Sequence, residues 1–188
     1  MSTSTAPVDS LHPRIAELFA ELDASRSELH ALVSALPSEL LHAPAVGEQW
    51  SVGQILEHLT VVEDGSGRLV SKIIHEVEAS GARETDSSSI LGVNDRFDIA
   101  TSNVRIPAPE RVLPKEGLAP EASMKRLDEM RDKLKSVLRR ASGLALGNAS
   151  MPHPLFGPCN GYQWVLVTSQ HERRHIRQIR RMAGLGDA

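Results

Sequence analysis

Four segments of the chain repeat apolar residues every three or four positions, which is the period of an α-helix with one buried face. The segments cover residues 14–36, 52–79, 120–140 and 161–182. An amphipathic helix cannot bury its apolar stripe alone, and packing several such helices together is the simplest solution. The sequence therefore predicts one all-α domain over residues 14–184, a four-helix bundle, preceded by a flexible tail over residues 1–13.

The connection between the second and third predicted helices is 40 residues long, from Ser80 to Ala119. The other two connections are each under 25 residues. A structureless loop of 40 residues is unusual inside a domain, so we expect this one to cross the bundle and pack on it, or to cover a site. Such a crossover gives an up-down-down-up order of the helices.

Charge and cysteine content exclude several classes of protein. The 188 residues include 24 acidic and 21 basic side chains, a formal net charge of −3, whereas dedicated nucleic-acid binders carry a basic excess. No apolar run approaches the roughly 20 residues that span a bilayer. A single cysteine, Cys159, excludes an internal disulfide and a zinc site of four thiolates. We therefore expect a cytoplasmic protein without nucleic-acid or membrane partners.

Three histidines interrupt the apolar stripes of two predicted helices. At about 100° per residue, His58 lies within roughly 60° of Ile55 and Val62 on the second helix. His171 and His175 lie about 40° apart on the apolar side of the fourth helix. Their i, i+4 spacing places the Cβ atoms about 6 Å apart, close enough for both rings to bind one metal ion.

Burying three imidazoles among apolar side chains is costly unless each ring has a partner. A shared divalent metal ion satisfies all three and leaves positions for water or substrate, as in catalytic metal sites. We therefore predict a metal site formed by His58, His171 and His175. Imidazole ligands suit zinc and nickel, and also iron, manganese and cobalt. A hydrogen-bonded ring without metal is the alternative for each histidine, and the sequence leaves it open.

The segment from His171 to His175 also matches the H-E-x-x-H helix of zinc proteases. That function requires a third ligand further along the chain, but only 13 residues follow His175 and none is His or Glu. It also requires Glu172 to face the metal, whereas Glu172 lies about 100° from the direction of His171. The sequence does not favour a protease.

Two motifs carry a resemblance to a known family. WSVGQILEHL at residues 50–59 resembles the W-S-x6-H-L signature of the DinB/YfiT-like superfamily. Residues 153–179, which include H-x-x-x-H, resemble the closing helix of that family. Arg96, Phe97 and the segment 105–114 resemble its crossover. The likeness covers most of the chain between the predicted tail and the last residues.

The resemblance implies a four-helix bundle, a metal ion held by the three histidines, and a homodimer. The family includes thiol-dependent S-transferases and a mycothiol-dependent isomerase. The resemblance therefore implies a metal-dependent enzyme that transfers the metal-bound thiolate of a small thiol to an electrophile. A non-catalytic metal-binding or stress-related protein and a metal-dependent hydrolase are the alternatives. Neither the sequence nor the resemblance assigns a catalytic residue.

Several residues near these motifs have their own expected roles. Trp50 should pack on the end of the bundle, with stacking on a ligand as the alternative. Gln54 suits either a hydrogen bond at the metal site or the edge of the core. His153 is expected at the surface or in packing rather than at the mouth of the site, and Cys159 is expected to be inert. Four arginines of the last helix are expected to form a solvated face, with contact to a partner or an anionic cosubstrate as the alternative: Arg173, Arg177, Arg180 and Arg181.

Overall fold

The computed structural model describes residues 11–97, 100 and 107–186. In this part of the chain four long helices enclose the core, and the connections contain one short α-helix, two 3₁₀-helices (Leu91–Phe97 and Glu110–Val112) and a β-hairpin. The helices are α1 (Pro13–Ser34), α2 (Ser38–His42), α3 (Val52–Ser80), α4 (Pro120–Arg140) and α5 (Gly161–Met182), and the strands are β1 (Ser150–His153) and β2 (Gly157–Asn160). The long helices confirm the predicted four-helix bundle. None of the helices in these residues is long and apolar enough to cross a membrane.

Parts of two predicted segments lie outside the described residues. Residues 1–10 of the predicted tail are among them, and α1 begins at Pro13. Arg105 and the side chains of Arg96 and Phe97, which carry the likeness of the crossover, also lie outside.

Local capping fixes the ends of α3 and α5. Ser51 Oγ accepts a hydrogen bond from the backbone N–H of Gln54, and Gln54 Oε1 accepts one from the N–H of Ser51, at 3.3 and 2.9 Å. Asn160 and Gln163 form the same capping box at the start of α5. Gly81 ends α3 with a φ of 70°, which glycine adopts without strain. These signals are local, so the predicted bounds agree closely with the observed ones.

Contacts between helix ends define the direction of each helix. Arg14, at the start of α1, pairs with Glu84, just after the end of α3, so these helices are antiparallel. The backbone N–H of Glu84 donates to the carbonyl of Gly143, just after α4, so α3 and α4 are parallel. Tyr162, at the start of α5, donates to the Glu84 carboxylate, so α5 runs antiparallel to α3. The order is up-down-down-up, as predicted.

The core consists of two apolar clusters, one near each end of the bundle. The first lies where α1 and α5 begin, and the second lies where α3 and α4 begin. The largest fully buried side chains are Ile15, Leu18, Leu22, Ile73, Leu138 and Leu146 in the first, and Leu29, Ile55, Leu56, Leu127, Ile176 and Ile179 in the second. Burial of these aliphatic side chains is the main favourable contribution to folding.

A buried ionic layer separates the two clusters. Arg26 of α1 bonds Glu172 of α5 and Glu63 of α3, both at 2.8 Å. Arg131 of α4 bonds the same two carboxylates, with 3.0 Å to Glu172. Burial opposes ionisation of Glu172, but the two guanidiniums outweigh it and lower the pKa of this carboxyl. Charge-assisted hydrogen bonds therefore join all four long helices at one level.

The second buried face of α3 is a feature that the sequence pattern did not predict. Helical geometry places Leu56 and Glu63 away from the apolar stripe that contains His58. On a helix with only one buried face, both residues would be exposed. Both residues are nevertheless buried, because α4 covers that side of α3 and Arg131 meets Glu63 there. Helix α3 therefore lies between two neighbours, and its polar residues face partners on both sides.

We predict that Arg131→Met lowers the free energy of unfolding by about 3–5 kcal/mol, because Glu63 and Glu172 stay buried with one partner fewer. Arg126→Met is the matched control. Arg126 lies on the same helix and forms an exposed ion pair with Glu116, so its loss should cost under about 1 kcal/mol. Urea unfolding followed by circular dichroism measures both. Equal losses in the two variants would show that the ionic layer has no special role.

Candidate metal centre

The three histidines predicted from the sequence meet between α3 and α5. Each ring offers one nitrogen, and the three nitrogens lie within 4.8 Å of one another. The ring centroids are 4.6 Å apart for His171 and His175, 4.9 Å for His58 and His175, and 5.3 Å for His58 and His171. The structure thus brings the predicted triad together in one cluster.

Burial keeps these imidazoles neutral. The exposed fraction is 3% for His58 and 9% for His175. Desolvation lowers the pKa of His58, and it lowers the pKa of His175 to about 3, with the charge of His58 adding to the effect. Burial, followed by the charges of His175 and His58, lowers the pKa of His171 well below its ordinary value. At neutral pH each ring therefore has a nitrogen lone pair available.

A backbone carbonyl of the crossover fixes the tautomer of His58. Nδ1 of His58 lies 2.7 Å from the carbonyl oxygen of Val112. Because a carbonyl oxygen only accepts, Nδ1 carries the hydrogen and the lone pair lies on Nε2. A hydrogen bond of this kind orients a histidine toward a metal ion.

A side-chain relay fixes His175 in the same way. Its Nδ1 lies 2.9 Å from Oε1 of Gln178. The amide nitrogen of Gln178 donates to Oε2 of Glu48 at 3.0 Å, which sets the orientation of the amide. The amide oxygen therefore accepts from Nδ1, and Nε2 of His175 has the lone pair.

The separation of the His171 and His175 rings fits a shared ion. Their Nε2 atoms are 3.2 Å apart. Two nitrogens bound at about 2.0–2.1 Å to one tetrahedral ion lie about 3.3–3.4 Å apart. Three neutral nitrogen donors suit borderline divalent ions, among them zinc and nickel. The three histidines can therefore hold a divalent metal ion.

Glu57 anchors the crossover over the site. Its buried carboxylate accepts hydrogen bonds from three consecutive backbone N–H groups, those of residues 115–117, at 2.5, 2.6 and 3.1 Å. Glu57 directly precedes His58. One turn of α3 therefore presents the imidazole and also holds the segment that brings Val112 to it.

A cavity of about 880 Å³ opens onto the three histidines. Its walls come from α3, α5, the crossover and the tip of the β-hairpin. The apolar lining residues include Val61, Val62, Leu69, Pro107, Leu155, Phe156, Trp164 and Val167. The indole of Trp50 also lines it, with its ring centroid 5.0 Å from that of His58. Trp50 packs against the core as expected and belongs to the site as well.

His153 has the expected packing role and, in addition, lines the cavity. Its ring stacks on Phe156 at 4.5 Å and lies 4.9 Å from the ring of Trp164. Burial lowers the pKa of His153 to about 4, and its Nδ1 accepts a hydrogen bond from the N–H of Leu155. The hairpin, which the sequence did not predict, folds this residue over the mouth of the site.

Four arginines border the cavity, and they include two of the four that were expected to form a solvated face. They are Arg111 of the crossover and Arg174, Arg177 and Arg181 of α5. Arg173 points elsewhere and pairs with Glu21 of α1 at 2.6 Å. The helical angle misplaces such residues because a long arginine side chain reaches a neighbouring face. Burial and the charges of Arg181 and Arg177 lower the pKa of Arg174.

Three other candidate residues lie outside the site. Gln54 closes the capping box of α3 and does not line the cavity. Cys159 is fully buried in β2, away from the cavity, as expected of an inert cysteine. Glu172 belongs to the ionic layer, so it faces away from the histidines and cannot act as the base of a protease.

The partners that orient the rings were missed in the sequence. Val112 acts through its backbone, so no side-chain pattern could have identified it. Gln178 lies on the same helix face as His171, and this position could have identified it as a partner of the histidines. The ionic layer could have been recognised from a charged residue on an apolar stripe. Arg26 lies four residues after Leu22, which places it on the apolar face of the first helix.

The fold and site define a class of helical bundles with a candidate metal site of three histidines. The chain belongs to the DinB superfamily, whose family model matches residues 21–179. It is 24% identical over 157 residues to the uncharacterized protein YuaE of Bacillus subtilis (strain 168), which covers 83% of this chain and 91% of that protein. The crystal structure of TT2238, a four-helix bundle protein, matches with a TM-score of 0.59 at 21% identity, over 88% of this chain and 96% of that one. This second likeness supports the fold.

We predict that the metal-free protein loses stability as the pH falls from 6.5 to 5. The pKa of His175 is about 3 in the folded chain against 6.5 for an ordinary histidine. The unfolded chain therefore binds more protons than the folded chain in this range. His175 alone should lower the free energy of unfolding by about 1–2 kcal/mol between these two pH values. Urea unfolding of EDTA-treated protein measures the slope, which His175→Gln should flatten. An unfolding free energy that is constant from pH 6.5 to 5 would contradict the burial of neutral rings.

Proposed function

We propose that this protein is a metal-dependent enzyme that transfers a small thiol to an electrophile, with His58, His171 and His175 as metal ligands. The observation that carries the proposal is the convergence of three neutral imidazoles on a cavity of about 880 Å³. A structural metal site is closed by a fourth protein ligand. Among the described residues no carboxylate or thiol joins the three histidines. The arrangement favours an open position for a substrate.

In this proposal a bound divalent ion supplies positive charge that lowers the pKa of a thiol, so that its anion is present near neutral pH. Val112 and Gln178 hold two of the ligand rings in the required tautomer. The apolar walls exclude water from the nucleophile. The sulfur forms a bond to an electrophilic carbon, the leaving group departs with its electron pair, and the thiol proton passes to solvent.

The surrounding carboxylates favour a thiol over water as nucleophile. Hydrolysis at a metal site is commonly assisted by a carboxylate that acts as general base. Three carboxylates beside the histidines in the sequence or in the cavity wall are engaged elsewhere: Glu57 holds the crossover, Glu172 lies in the ionic layer, and Glu48 accepts from Gln178. A thiol is more acidic than water and needs no such base. We therefore place hydrolysis second.

We predict that His58→Ala and His175→Ala each remove most of the bound metal while the helical content is retained, because two ligands hold an ion far less tightly than three. Elemental analysis of protein purified without a polyhistidine tag measures this, and circular dichroism checks the fold. His153→Ala is the matched control, since this histidine lines the same cavity outside the cluster. Full retention of metal in both variants would refute the ligand assignment.

We predict that Gln178→Leu weakens metal binding by about 10–100-fold, because Nδ1 of His175 loses its acceptor. Gln49→Leu, the same change at an exposed residue of the cavity, should leave the affinity unchanged. Competition with a chromogenic chelator gives both affinities. Equal affinities in the two variants would show that the amide does not support the ligand.

The reaction itself is tested with a panel of small thiols and the electrophile 1-chloro-2,4-dinitrobenzene. We expect turnover by metal-loaded protein and its loss in His58→Ala. In parallel, cobalt-loaded protein should gain a sulfur-to-metal absorption band with 2-mercaptoethanol. If no thiol gives the band, the proposed nucleophile is wrong. A band without turnover of any electrophile would favour a non-catalytic metal-binding protein instead.

A further inference from the structure

We propose that His153 is a ligand-binding residue, whose Nε2–H donates a hydrogen bond to an oxygen of a small aromatic carbonyl or nitro compound that fills the cavity. The inference deepens the proposed function, and the identity of this compound as the electrophile rests on that function. The hydrogen bond itself does not depend on the reaction and is testable without metal. The apolar walls would hold the rest of the molecule.

The hydrogen-bond state of the His153 ring carries this inference. Its Nδ1 lies 3.2 Å from the backbone nitrogen of Leu155 and accepts the hydrogen of that N–H. Burial lowers the pKa of His153 to about 4, so the ring is neutral near pH 7 and has one hydrogen of its own. That hydrogen is therefore on Nε2, and it points away from Leu155 because the two ring nitrogens diverge. Among the residues that the structure describes, none forms a hydrogen bond with Nε2.

The hairpin holds this donor in place. His153 pairs with Gly157 between β1 and β2. Its ring stacks on Phe156 with the two planes 15° apart, and its plane is tilted by 52° from that of Trp164. The indole of Trp164 is fixed in turn, since its Nε1 donates to the carbonyl of Met151 at 3.1 Å. A donor that is held in this way loses little conformational freedom when a ligand binds.

The position of the ring sets the size of the ligand. The ring centroids of His153 and Trp164 are 4.9 Å apart. His171 follows Trp164 by seven residues, which is two turns of α5 on nearly the same face and about 10 Å along its axis. A molecule of one aromatic ring and its substituents can therefore extend from the three-histidine cluster to His153. The indoles of Trp50 and Trp164 line the same cavity and offer flat surfaces to such a ring.

A packing role alone explains the His153 ring less well. A phenyl group would stack on Phe156 equally well and would place no N–H in an apolar wall. A ligand that fills the cavity displaces water from Nε2, and the unpaired donor then weakens binding unless the ligand supplies an acceptor. Thr168 of the same wall, by contrast, donates its hydroxyl hydrogen to the carbonyl of Trp164 at 3.0 Å. His153 thus offers a donor that a ligand can use.

The test compares acetophenone with α-methylstyrene, which has the same shape but a methylene group in place of the oxygen. Each probe is titrated into EDTA-treated full-length protein, with the indole N–H signals of Trp50 and Trp164 as NMR reporters, since both residues line the cavity. His153→Phe keeps the aromatic stack and removes the donor. The ratio of the acetophenone affinity to the α-methylstyrene affinity should therefore fall about tenfold.

Two further variants separate the hydrogen bond from packing. His153→Gln, whose amide can donate, should keep the ratio within about threefold of the wild-type value. His75→Phe is the same change at an exposed residue outside the cavity, and it should leave the ratio unchanged. Circular dichroism checks that each variant is folded.

Three results would overturn the inference. One is that neither probe binds the wild-type protein. Another is a wild-type ratio in His153→Phe, or an equal fall in His75→Phe. The third is an equal fall in the phenylalanine and glutamine variants of His153, which would assign the effect to ring packing. The absorption band of cobalt-loaded protein with 2-mercaptoethanol tests the proposed function without an aromatic ligand, so the two failures are distinguishable.

Discussion

The ionic layer of Arg26, Glu63, Arg131 and Glu172 is the constraint on which the rest of the structure depends. Each long helix contributes one of the four charges, and each charge meets partners on two other helices. Buried charges tolerate little displacement, because an unpaired one is costly. An apolar interface alone could slide or rotate with less penalty. The layer therefore fixes the height and rotation of α3 and α5, the two helices that present the histidines.

The same short segments serve both the core and the site. On α5, Glu172 faces the ionic layer while its neighbours His171 and His175 face the cavity. On α3, Glu57 holds the crossover while His58 meets Val112 from that crossover. The geometry of the rings is thus linked to the packing of the bundle. A change in the layer or in the anchored crossover should shift the three-histidine cluster without replacing any of the histidines.

The cavity brings three kinds of side chain together. Neutral histidines lie at one end, apolar walls surround the space, and arginines border it. The crossover and the hairpin complete the walls, and both are connections rather than bundle helices. Loops carried by a rigid scaffold commonly provide such specificity. In this chain the crossover and the hairpin therefore decide what surrounds the three histidines, while the bundle helices decide where the rings lie.

The sequence alone determined the four long helices, their ends, and the placement of His171 and His175 on one helix face, whereas packing of α3 against α5 brings His58 to them. These features depend on local signals: the helical period, capping residues such as Ser51 and Asn160, and the i, i+4 spacing of two rings. The tertiary structure decided the hairpin, the second buried face of α3, the partners Val112 and Gln178, and the arginines around the cavity. Each of these depends on contacts between residues far apart in the chain, or on the reach of a long side chain. Helical periodicity places a residue on a helix face, but only packing decides what that face meets.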